Sequence, residues 1–145
     1  MDREILFRAK QVCNNEWIEG YYLNCYYPGN STDQTGYFIV EYPGKYHEIY
    51  LDTLCRYTGL VDKSGRKIWE NDVVSGIAYS SVQVGYIVWI DEIAGFGIRY
   101  YNRHREPTAW KYSSILKALQ MWDKPNEFQA EVIGNIFDNP DLIKD

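Results

Sequence analysis

The stretch from Tyr57 to Val74 (Tyr-Thr-Gly-Leu-Val-Asp-Lys-Ser-Gly-Arg-Lys-Ile-Trp-Glu-Asn-Asp-Val-Val) constrains this chain more than any other. Asp62-Lys63-Ser64-Gly65 has the makings of a tight turn. The aspartate accepts local backbone N–H bonds, and the glycine takes the positive φ that a hairpin bulge needs. Leu60 and Val61 enter the turn, and Ile68 and Trp69 leave it. A second break, Glu70-Asn71-Asp72, feeds Val73 and Val74, the start of a further strand. A hairpin therefore launches a small barrel. The signature is architectural, not catalytic.

The same residues carry a family resemblance. Tyr57-Thr58-Gly59-Leu60, Asp62-Lys63 with Gly65 and Ile68, and Glu70-Asn71-Asp72 before two valines resemble the signature of the YopX family of phage and prophage proteins. Asn71 stands where that family usually has glycine. Asparagine is the next-best residue for a left-handed conformation, so the turn survives. The start, Arg3 to Ala9, is similar to the family's opening strand. The end, Glu131-Val132-Ile133-Gly134-Asn135-Ile136-Phe137-Asp138-Asn139-Pro140-Asp141-Leu142, is similar to its closing motif. The resemblance implies an SH3-like partial barrel. It implies no activity and supplies no catalytic residues.

A chain of 145 residues forms one domain, or one barrel with a smaller sheet. Aromatics make up 17%, most of them among the 14 tyrosines. Tyrosine suits half-buried strand surfaces, which supports a mainly β class. The net charge of −5 argues against a dedicated nucleic-acid binder, though a local basic patch is compatible with it. Cys13, Cys25 and Cys55 are scattered, with no Cys-x-x-Cys, so neither a zinc site nor a disulfide framework is indicated. We expect reduced, mostly buried thiols. No apolar run follows a basic start, and no apolar stretch reaches the roughly 18 residues of a membrane span. The expectation is a protein of the host cytoplasm without membrane contact.

Residues 4–10 alternate as a strand with Ile5 and Phe7 on one face. Glu16 to Tyr27 is a tyrosine-rich segment in which Gly20 marks a bend or bulge. Pro28 to Gly36 is a polar loop. Tyr37 to Tyr42 and Tyr46 to Leu51 read as strands around Pro43-Gly44. Residues 1–51 thus make a small N-terminal antiparallel sheet, and residues 52–145 the barrel with a short C-terminal turn. Val73 to Tyr79, Val82 to Ile90 and Phe96 to Tyr101 are strands. Val82 to Ile90 is apolar on both faces, so both are covered. Ser113 or Ser114 caps a short helix over Ile115 to Trp122. Glu127 to Phe137 is a last strand that closes the barrel, and Pro140 opens a final turn.

Catalytic constellations are missing. His47 and His104 have no metal-ligand companions, so no metal or cofactor is expected. Cys55 has Arg56 beside it but no base. Glu70/Asp72 and Asp91/Glu92 are most simply turn residues. The positive signal is Arg99 to Arg105. If the strand from Phe96 continues, Phe96, Ile98 and Tyr100 face inward, and Arg99, Tyr101, Arg103 and Arg105 share the outer face. Such a stripe suits phosphates and a stacked base, or carboxylates of a partner. The aromatic surplus points elsewhere: Trp17, Trp69, Trp89, Trp110 and Trp122, with the tyrosines, exceed what a core this size hides. We therefore expect no enzyme but a homo-oligomeric interaction or assembly protein. A host or phage protein is a further possible partner. The alternative is nucleic-acid binding through Arg99, Tyr101, Arg103 and Arg105.

Overall fold

Apolar–polar alternation and closely spaced turn residues produce a mainly β chain of two antiparallel sheets in the computed structural model. Residues 4–27, 34–78, 81–100, 108–109 and 130–143 are described. The chain divides into two compact units, Met1–Tyr57 and Thr58–Asp145.

In the first unit, β1 (Phe7–Lys10), β2 (Trp17–Tyr26), β3 (Thr35–Glu41) and β4 (Lys45–Glu48) form a meander, and β5 (Cys55–Val61) begins. The strand order is β4-β3-β2-β1-β5. Strand β5 returns beside β1, with Phe7 opposite Arg56 and Arg8 opposite Cys55. Strand β2 changes partner along its length. Trp17 to Gly20 pair with β1, and Tyr21 to Tyr26 pair with β3. Gly20 marks the switch. A Cβ there would lie 2.6 Å from the Val40 carbonyl oxygen and 2.9 Å from Ile39 Cγ2, so two backbones meet where a bend was expected.

Period-two alternation gathers Phe7, Ile18, Tyr22 and Leu54 around a core of Ala9, Ile39 and Ile49. After β4 the chain curls back onto β1. Ile49 bridges Gln11. The Val12 N–H donates to the Glu48 carbonyl at 2.9 Å, and the Tyr50 N–H to the Lys10 carbonyl at 2.9 Å. A 3-10 turn, Leu51–Thr53, then leads to β5. The Thr53 hydroxyl donates to the Tyr50 carbonyl at 2.7 Å and accepts the Lys10 N–H at 2.9 Å. That turn draws Leu51 out of the strand expected over Tyr46 to Leu51 and leaves it exposed. Ile5 is exposed too, and lies before β1 rather than in a strand with Phe7. The Leu6 carbonyl accepts the Tyr57 N–H at 2.9 Å, and the ladder with β2 starts only at Phe7. The core position falls to Ala9.

The second unit begins within β5, which hairpins into β6 (Lys67–Trp69). Asp62 is fully buried. Its Oδ1 accepts the N–H groups of Ser64 and Arg66, each at 2.9 Å. Its Oδ2 accepts the Val132 N–H at 3.0 Å, so the turn is tied to a segment 70 residues away. Gly65 takes φ 80°, the value a hairpin bulge demands. The Arg66 guanidinium donates to the Val132 carbonyl at 3.2 Å, and Lys63 faces Glu131 at 3.6 Å. In the second break, Asn71 is left-handed at φ 71°. Asp72 Oδ2 accepts the Trp69 N–H at 2.8 Å.

Strands β7 (Asp72–Ala78), β8 (Ser81–Ile90), β9 (Gly95–Tyr100), β10 (Thr108–Ala109) and β11 (Glu131–Asn135) follow in the order β10-β9-β8-β7-β11. Their core holds Ile68, Val74, Ile87, Phe96, Ile98, Ala130 and Val132, with Leu60, Trp89 and Tyr100 against it. On β8 the core face is therefore that of Ile87 and Trp89, while Val84, Tyr86, Val88 and Ile90 on the other face are half-buried. Strand β11 pairs with β7 through a register shift between Val132 and Gly134. Among the described residues no ladder joins β10 to β11, so this sheet is open. Asn135 Oδ1 then accepts the N–H groups of Phe137 at 3.0 Å and Asp138 at 2.9 Å, and a 3-10 turn starts at Pro140. The helix expected over Ile115 to Trp122 lies outside the described residues, as do residues 28–33 of the polar loop.

Candidate functional site

The arginine–tyrosine stripe is placed only at its start. Arg99 lies in β9 opposite Tyr86 of β8 and is half-buried. Phe96 and Ile98 are buried and Tyr100 packs on the core, so alternation sets Arg99 on the face away from it. Tyr101, Arg103 and Arg105 lie outside the described residues. Strand β10 runs antiparallel to β9, Thr108 opposite Ile98.

The other candidate surface is a face of the first sheet. Register places Tyr21 of β2, Val40 of β3 and Tyr46 of β4 in one row, and Leu23, Phe38 and Glu48 in the next. Tyr21 is 61% exposed, Tyr46 43% and Leu23 37%. Phe38 is buried beneath this row, edge-on to Tyr27 at 5.5 Å and to Tyr46 at 5.8 Å. Trp17 continues the face toward β1, where the Arg8 guanidinium lies 4.5 Å and the Lys10 ammonium 5.5 Å from its ring. The result is an aromatic face flanked by Arg8, Lys10 and Glu19 toward β1 and by Glu48 on β4, suited to partly apolar, partly wet contacts.

Three phenols on this unit have their pKa raised above the ordinary range. Tyr27 donates to Glu48 Oε1 at 2.7 Å, and that bond, then burial and the carboxylate's charge, raises its pKa above 10.0. Burial raises Tyr57, with the charges of Glu4 and Glu19 adding. Burial also raises Tyr22, with Tyr37 contributing.

Of the sequence's candidates for chemistry, His104 lies outside the described residues, and His47, Cys55, Asp91 and Glu92 lie within them. His47 sits in the sheet-edge strand β4 on the core face. Its Nε2 is 2.5 Å from Glu41 Oε1, an ion-pair distance off the line of a hydrogen bond. Cys55 is buried and its thiol donates to the Thr53 carbonyl at 3.2 Å. Cys25 is half-buried and Cys13 exposed, so burial of the thiols is less general than expected. Asp91 and Glu92 form an exposed 3-10 turn. Among the described residues no three metal-ligating side chains come together, and no helix is long and apolar enough to cross a membrane. Of the tryptophans expected in excess of the core, Trp69 is buried, Trp89 packs on the core and Trp17 is half-buried, while Trp110 and Trp122 lie outside the described residues. Among the described residues the exposed rings are tyrosines, Tyr21, Tyr26, Tyr37, Tyr42, Tyr46 and Tyr50. That Tyr21 and Tyr46 share a face with Leu23 was not legible, because it depends on the β2–β3–β4 register.

The sequence matches the family described as YopX protein over residues 6–144. Among solved structures, the chain resembles the crystal structure of protein EF1440 from Enterococcus faecalis. The two are 20% identical with a TM-score of 0.50, over 97% of this chain and 99% of that one, a likeness of fold. No curated protein matches the chain.

Proposed function

The chain belongs to the YopX family, and from that premise we propose that it is a non-enzymatic, self-associating interaction or assembly protein of phage or prophage origin. The observation that carries this reading is the exposed patch of Tyr21, Leu23 and Tyr46 on one face of the first sheet. Large exposed aromatic side chains gathered on one sheet face mark contact surfaces rather than solvated ones. The motif residues that caught attention in the sequence are meanwhile occupied: Asp62, Asp72 and Asn135 accept backbone N–H groups.

The SH3-like reading is part of the proposal. Its support is the strand order, in which a fifth strand returns beside the first of a four-strand meander in each unit. In the first unit a 3-10 turn precedes that fifth strand.

Light scattering on the purified chain tests the reading, alongside capture from host lysate with wild type and with Tyr21→Ala/Tyr46→Ala. The expected result is self-association or a captured partner that the double variant loses. A monomer that captures nothing would remove the proposal. The second reading, nucleic-acid binding, draws on Arg99 lying on the face away from the core. It predicts salt-sensitive binding weakened by Arg103→Ala/Arg105→Ala. No mobility shift with single- or double-stranded DNA or RNA at low salt would eliminate it.

A further inference from the structure

We infer that two copies of this chain join by strand addition along the open edge of β2, antiparallel and centred on Asn24. The inference rests on the self-association reading and names its surface.

The phase of the β2 ladder defines which groups are open. The Tyr27 N–H donates to the Gln34 carbonyl at 3.2 Å, continuing the register that pairs Cys25 with Gly36 and Leu23 with Phe38. Tyr21, Leu23 and Cys25 therefore direct their N–H and C=O groups to β3. Tyr22, Asn24 and Tyr26 direct theirs to the opposite edge. The Gln11 N–H, donating to the Glu16 carbonyl at 3.0 Å, gives the same phase on the β1 side. There β1 stops at Phe7 opposite Gly20, and the Leu6 carbonyl is taken by Tyr57. Among the described residues no strand pairs the edge from Tyr22 to Tyr26.

Exposed edges are normally blunted by lysine, proline or a bulge. Tyr21-Tyr22-Leu23-Asn24-Cys25-Tyr26-Tyr27 contains neither a charge nor a proline. Two copies of a chain with net charge −5 repel one another, and a neutral segment is where they approach at least cost. The segment also complements itself. About Asn24, each Tyr22 faces the partner's Tyr26, Leu23 faces the partner's Cys25, and the two Asn24 amides meet. Aromatic pairs and amide pairs are favourable cross-strand neighbours, and no like charges are opposed. A few ladder bonds are a small interface. The exposed Tyr26 on one face, with Tyr21 and Leu23 on the other, adds apolar area to the joined sheet.

The test is light scattering and sedimentation on the full chain. Wild type is expected as a dimer. Asn24→Pro removes an N–H that points to the open edge and leaves the β3 ladder untouched, so a folded monomer is expected. Asn24→Lys opposes like charges without altering the backbone and is expected to do the same, which covers the case of a misfolded proline variant. Asn24→Cys with Cys13→Ser and Cys25→Ser is expected to form an intermolecular disulfide, since directly opposed antiparallel residues lie within disulfide reach. A dimer that persists in both Asn24 variants without that cross-link overturns the edge proposal and leaves the interaction reading standing. A wild-type monomer overturns the edge proposal; if it also captures no partner, the broader reading falls with it.

Discussion

Asp62 uses both carboxylate oxygens, and each bond has a different reach. Oδ1 closes the turn over Ser64 and Arg66, and Oδ2 secures Val132 at the register shift of β11. Asp62→Ala would leave buried N–H groups without acceptors, at about 1–3 kcal/mol each. We expect a loss of about 3 kcal/mol in urea unfolding, with Asp62→Asn intermediate because one oxygen remains. An alanine variant as stable as wild type would mean that Ser64, Arg66 and Val132 find other acceptors. The tyrosines give a pH dependence of definite sign. Tyr22, Tyr27 and Tyr57 have folded pKa values above the ordinary 10.0. The unfolded chain therefore loses these protons first. Stability from this source is complete below pH 10.0 and declines as pH rises through the folded values. Urea midpoints that fall from about pH 10 upward in wild type, and fall less in Tyr57→Phe, are the expected result.

Turns were legible in the sequence because their chemistry is local. Asp62 and Gly65 are read from adjacent residues, and Asn71 adopts the left-handed conformation its place in the motif implied. The bond from Val132 was not legible, since no spacing rule connects residues 70 positions apart. Nor was the partner switch of β2. A glycine within a tyrosine-rich strand announces a bend, but only the paired register shows that the Val40 carbonyl occupies the space a side chain would need. The stripe from Arg99 to Arg105 rested on a continuous strand, and β9 carries it as far as Tyr100. Gly20→Ala tests the element-scale account. A Cβ 2.6 Å from a carbonyl oxygen forces two strands apart, and we expect a cost of about 1–3 kcal/mol. Thermal unfolding near wild type would show that the β2–β3 crossing has slack.

The same five-strand order occurs twice, β4-β3-β2-β1-β5, which β6 extends to a six-stranded sheet, and β10-β9-β8-β7-β11. No internal repeat in the sequence announces it, because topology is carried by turn positions and alternation, which very different side chains satisfy. Each unit also has its own core. Ala9, Ile39 and Ile49 form one, and Ile68, Val74, Ile87, Phe96 and Ile98 belong to the other. Separate cores make a prediction about where stability resides. Ile39→Ala and Ile87→Ala each empty a fully buried site, at about 2–5 kcal/mol. If each core supports its own unit, hydrogen exchange in Ile39→Ala should quicken over β1 to β4 and leave β7 to β9 protected, while Ile87→Ala should do the reverse. Equal acceleration throughout in either variant would instead mean that the chain opens as one cooperative body, with the strand β5 that begins in one unit and ends in the other transmitting the loss.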